Sequence, residues 1–128
     1  MADNLPTIVS LVGSASVPVT GVTFTNVTFA HSAAVLETNC MASGCSCQSD
    51  CDGNTAAVYT TFAQACAFDR VSAFGTGRYA VWLGPGSVGC SVTRSHLFDL
   101  GSGGVRVGDG VDTGSPSTAP AQGVAVTD

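Results

Sequence analysis

Few side chains in this sequence are equipped for chemistry, and those few cluster. Trp82 and Tyr79 offer flat apolar rings of the kind that stack on a sugar, and Arg106 offers a planar fork that grips a carboxylate or hydroxyls. Asp99 and Asp109 flank the strand that carries Arg106. In an extended strand rising ~3.3 Å per residue they would stand well beyond the ~5 to 9.5 Å that paired carboxylates need for glycoside cleavage. A carboxylate beside a glycine turn also has a simpler use, in bonding to turn amides. Asp99 and Asp109 are therefore weak catalytic candidates. Neither His31 nor His96 has a carboxylate placed by the sequence to orient it, and both read as surface residues.

Cysteine is the other reactive type. Cys40, Cys45, Cys47 and Cys51 crowd into a dozen residues, with spacings unlike the paired knuckles of a structural zinc site. No metal is expected there, and nothing in the sequence calls for a cofactor. If the chain is exported, the four are disulfide candidates that pin a loop with little core of its own, in a connectivity the spacing leaves open. Asn26-Val27-Thr28 forms a glycosylation sequon that matters only in that setting.

What positions these residues is a repeat. Residues 74–86, FGTGRYAVWLGPG, and 98–110, FDLGSGGVRVGDG, align at an offset of 24 through Phe74/Phe98, Gly77/Gly101, Gly84/Gly108 and Gly86/Gly110. Cys66/Cys90 and Arg70/Arg94 keep the same register, and Gly53 extends the glycine column upstream. Upstream again, VTFTNVTFAH (22–31) fits at an offset of 44, with Phe24 on Phe68 and Asn26 on Arg70. The excess of twenty residues is an insert, placed at 32–52, that contains the four crowded cysteines. A unit of this length, with short alternating segments and glycine turns, suits one coil of a parallel β-helix, where equivalent residues of successive coils sit ~4.8 Å apart. Trp82 and Arg106 then become neighbours on an outer face, either as a sugar contact or simply as a cation–π pair. Strict 24-residue spacing puts Val58, Trp82 and Arg106 outward, and Tyr59, Leu83 and Val107 inward. Cys66 and Cys90 form an inward ladder in which each thiol serves as a small apolar residue.

Composition agrees with an all-β chain. Of 128 residues only 10% are charged and 16 are glycine, so turn formers and β-branched residues dominate. Four arginines and no lysine against nine acids, a net charge of −5, argue against nucleic acid as a partner. No apolar run is long enough to span a membrane. The N-terminus, MADNLPTIVSLVGS, shows no export signal, whereas the cysteine content suits an oxidising compartment; a fragment of a longer protein would reconcile the two.

The runs PVTGVTFTNVTFAHS and GRYAVWLGPGSVGCSVTRSHLFDLGSGGVRVGDG resemble the right-handed parallel β-helix repeat proteins of the pectate-lyase-like superfamily, and in particular its glycoside hydrolase-like members. The resemblance covers about residues 17–110, and Phe98 stands where that pattern often has His before Asp. It implies a right-handed β-helix of about four coils, extracellular or cell-surface location, and polysaccharide or another glycan as the partner. Residues 1–16 read as a lead-in strand or cap, 17–110 as coils, and 111–128, rich in Ser, Thr, Pro and Ala, as a flexible tail. The expected function is a carbohydrate-directed module with Trp82, Arg106 and Tyr79 facing the glycan. The alternatives are a non-catalytic surface or adhesion rod, or a truncated fragment without activity of its own. Enzyme status stays open, because no pair of outward acids falls in adjacent coils. A stack without end caps bares unpaired amides, so end-to-end self-association is also expected.

Overall fold

The computed structural model describes residues 5–33, 56–108 and 119–128. These contain thirteen short strands, β1 to β13, and no helix. Every strand pairing is parallel and joins segments far apart in sequence. Sheet 1 is β1 (Val9–Val12), β5 (Ala56–Thr61), β9 (Tyr79–Leu83) and β12 (Val105–Val107), in that order. Sheet 2 pairs β2 (Val19–Thr20) with β6 (Ala63–Gln64) and continues through single bridges to Val88 and Gln122. Sheet 3 runs β3 (Thr23–Thr25), β7 (Ala67–Asp69), β10 (Ser91–Thr93), β13 (Ala125–Thr127), and sheet 4 runs β4 (Thr28–Ala30), β8 (Ser72–Phe74), β11 (His96–Leu97). The chain visits sheets 1, 2, 3 and 4 in turn and then returns to sheet 1 one level down. The result is an all-β stack of parallel sheets, compatible with a parallel β-solenoid.

The corners explain how such short strands can turn so sharply. Single residues with positive φ sit in vertical columns: Asn26, Arg70 and Arg94 (φ 56°, 52° and 50°) between sheets 3 and 4, and His31, Gly75 and Asp99 (62°, 57° and 51°) after sheet 4. Gly21, Ala65, Gly89 and Gly123 make a third column, and Phe62 and Gly86 a fourth. One left-handed residue reverses the local twist without interrupting the inter-coil hydrogen bonds on either side. At Gly86 glycine serves a second purpose, because a Cβ there would strike the Phe62 ring of the coil above. Gly101 likewise lies so close to the Gly77 carbonyl that no side chain fits between the coils.

The inward columns make the core. Phe68, Val58, Val81 and Leu83 are fully buried, each burial contributing about 1.5–3 kcal/mol. Phe24 stacks on Phe68 at 5.5 Å with rings 4° from parallel. Cys66 and Cys90 are free, buried thiols within this core. Burial pushes the Cys90 thiol above its usual value, consistent with a small apolar filler that stays protonated.

Two expectations are corrected here. Sheet 1 steps by 23 residues between β5 and β9, pairing Val58 with Val81, Tyr59 with Trp82 and Thr60 with Leu83. Val58 therefore points into the core with no exposed surface, and Tyr59, not Val58, shares the outward column of Trp82 and Arg106. The inward place opposite Leu83 goes to Thr60, whose hydroxyl shares a 2.9 Å hydrogen bond with Ser87 and so is buried at little cost. The second correction concerns the tail: residues 119–128 belong to the stack, since β13 pairs in parallel with β10 and Gln122 bridges to Val88.

Candidate ligand-binding face

The outer surface of sheet 1 carries the column Ser10, Tyr59, Trp82, Arg106. Parallel in-register pairing puts each of these directly beside the next, so the sequence column becomes a ladder. The Arg106 guanidinium lies over the Trp82 ring, 4.5 Å from its centroid, and also 5.3 Å from the centroid of Tyr79. Tyr59 meets Trp82 edge to face at 5.0 Å. The indole Nε1 donates to the Gly108 carbonyl at 2.7 Å. Trp82 is left only 9% exposed. It is a packed ring that holds Arg106, Tyr59 and the end of β12 in place, and not an open plate. Tyr79, Tyr59 and Arg106 are half-exposed, and they are what this face presents to a ligand.

Length variation converges on the same sheet. Between β1 and β2 the chain takes five more residues than between β5 and β6. The long inserts, which include 34–55 and 109–118, fall just before β5 and just after β12. All three flank sheet 1, on one side or the other, whereas the links between sheets 2, 3 and 4 keep constant length. Repeat proteins collect insertions around a working face because loops there do not disturb stacking.

The remaining candidates are placed as follows. Asp99 is exposed at the corner after sheet 4, where its carbonyl accepts the Gly75 N–H at 2.9 Å. The residues above it in the column are Gly75 and His31, so among the described residues no acid from a neighbouring coil faces it. Asp109 and the disulfide candidates Cys40, Cys45, Cys47 and Cys51 lie outside the described residues, as does Gly53. Among the described residues no three metal-ligating side chains come together, and no helix is long and apolar enough to cross a membrane.

Two features went unread in the sequence. On the outer side of sheet 4, Phe74 stacks on Phe98 at 5.1 Å, His96 stacks on Phe98 at 4.5 Å, and His31 meets Phe74 edge to face at 5.5 Å. This second ladder gathers both histidines, and Phe98 is 42% exposed. Phe74/Phe98 alignment was the available signal for it. The other feature is a charge cluster at the corner after sheet 3. Asp69 accepts hydrogen bonds from Arg94 Nε at 2.8 Å, Arg70 Nε at 3.0 Å and the Thr93 hydroxyl at 3.0 Å. The Arg94 hydrogen bond is the main reason that the carboxyl is held below its usual range.

No family model, curated protein or solved structure matches the chain.

Proposed function

We propose that this protein is a right-handed parallel β-helix module of the pectate-lyase-like kind, working outside the cell or at its surface, that binds an extended glycan along sheet 1. The observation that carries this reading is the half-exposed trio of Tyr59, Tyr79 and Arg106, seated on a packed Trp82 and flanked by every length insertion in the stack. Rings at a regular spacing along a flat sheet suit a polymer of rings, and a guanidinium fixed by two aromatic faces is a preorganised partner for a uronate carboxylate or a pair of hydroxyls. Right-handed winding is the sense in which parallel strands with a right-handed twist connect. The reading is one of binding, because the half-exposed rings and guanidinium of sheet 1 are what support it.

The test is retention on a soluble uronic-acid polymer and on a neutral glucan, comparing the parent with Arg106→Ala and Tyr79→Ala. Each substitution is expected to weaken binding about tenfold, or about 1.4 kcal/mol, without unfolding the chain. Retention on neither polymer, or equal retention of parent and variants, overturns the reading. Loss on Phe98→Ala alone would also overturn it, by moving the contact to sheet 4.

A further inference from the structure

The two ends of the stack are built to fit each other. In the column Val9, Val58, Val81, Val105 the two middle residues are fully buried, while Val9 and Val105, at the ends, are only half-covered. The column Phe24, Phe68, Val92, Val126 repeats the pattern: Phe68 is fully buried, Phe24 is half-covered and Val126 is 53% exposed. Leu11 and Val107 close the column of Thr60 and Leu83 in the same way, Val107 being 48% exposed. These residues face inward but lack a coil on one side. Bringing the first coil beneath the last would set apolar on apolar in each of these columns.

The backbone agrees. Among the described residues no strand pairs with the outer edge of the first or last strand of any sheet, every pairing is parallel, and so the lower edge can accept an upper edge as one more parallel level. Sheet 4 stops at β11, one level above β12 and β13. The step leaves an open groove of about 270 Å³ lined by Val92, Ser95, Leu97, Val126, Thr127 and Asp128. At the other end the chain starts with a matching lead-in. The Leu5 carbonyl accepts the Ala33 N–H at 2.9 Å, as the Ser32 carbonyl accepts Gly77 N–H and the Thr76 carbonyl accepts Gly101 N–H. Leu5 thus belongs to the column of Ser32, Thr76 and Leu100, and in a second copy placed below it would fall under Leu100, beside the groove. Leu5 is 52% exposed and Ile8 36%.

The described part of the upper edge carries no charge to discourage the contact. Exposed edges in other proteins are guarded by charges, lysine above all, whereas Leu5 to Ala30 contain no Asp, Glu, Lys or Arg. Among the described residues the lower edge carries Asp99, at the bottom of its corner column, together with Arg106 and Asp128, and Asp128 follows the Arg94 corner column, where it would meet the uncharged Asn26.

We propose that the chain binds a second copy of itself head to tail, the first coil of one molecule adding to β12 and β13 of the next, with its Leu5 under Leu100 beside β11. This contact is heterologous and does not close, so it propagates into a linear filament with one continuous core. It stands independently of the glycan reading, because it uses the ends of the stack and not the outer face of sheet 1.

The experiment is a concentration series of the 128-residue chain by sedimentation velocity, with two further variants that charge the ends, each first shown by circular dichroism to keep the parent's fold. Leu5→Lys with Ile8→Lys charges the upper end, and Val107→Lys with Val126→Lys charges the lower. The parent is expected to grow past dimer as concentration rises. Each variant alone should be a monomer, and an equimolar mixture of the two should double in mass and stop there, since one free lower end meets one free upper end. A parent that stays monomeric throughout overturns the proposal without reference to any variant. So does a variant that still dimerises alone, which would mean like ends pair, or a mixture of folded variants that stays monomeric.

Discussion

The two ring ladders on the outside of the stack follow the same rule and come out differently. On sheet 1 the rungs Tyr59, Trp82 and Arg106 close over one another until the indole keeps 9% of its surface. On sheet 4 Phe74, Phe98 and His96 stack just as regularly, yet Phe98 keeps 42%. The difference lies in the rungs and their surroundings. An arginine stem is long enough to fold back over the ring above it, and a indole N–H finds the Gly108 carbonyl at the strand end, whereas two phenyl rings can only lie side by side. Register alone makes a ladder; whether the ladder becomes structure or surface depends on what each rung can reach.

The strongest way to break this comparison is Trp82→Ala. If the sheet 1 ladder is packed structure, removing the indole orphans the Gly108 contact, uncovers Tyr59 and Arg106, and costs about 3 kcal/mol in denaturant unfolding. A loss below about 1 kcal/mol would place Trp82 with the open rings. Phe98→Ala sharpens the other side: with its face toward water it should cost under about 1 kcal/mol, and a larger loss would show sheet 4 to be equally structural. The smallest effect is expected at Asp69→Asn, on the corner between the sheets. The folded Asp69 carboxyl titrates below its usual 3.8, so the carboxylate stabilises the fold above that pH and the contribution disappears as acidity carries the pH down through the folded value. The variant should show a flatter loss of stability in acid than the parent, with the two converging at the lowest pH; parallel acid limbs would rule the cluster out as a contributor.

Much of this arrangement was legible from spacing. The 24-residue period placed Trp82 beside Arg106 and Arg70 over Arg94, and the offset of 44 upstream placed Phe24 on Phe68 and Asn26 over Arg70. Those positions sit at corners and on strands whose inter-coil hydrogen bonds fix the register. The misreadings have equally physical causes. A single residue fewer between Val58 and Val81 flips every side chain of β5 to the other face, because strand side chains alternate, and this hid Tyr59. The last strand was concealed by ten extra residues after β12, which stretch the sheet 3 spacing to 34 between Val92 and Val126 and leave a segment of small residues that mimics a linker. The burial of Trp82 was beyond any periodicity, since it depends on where a neighbouring arginine lays its stem.

The bends of this molecule are each confined to one residue, and the same kind of bend recurs at the same place on each level. Excising residues 71–94 would bring Ser95 directly after Arg70, at a position the shortened chain enters at the same angle that Val71 does now. Height is thus a quantity the gene can dial by whole storeys, with the floor plan left unchanged.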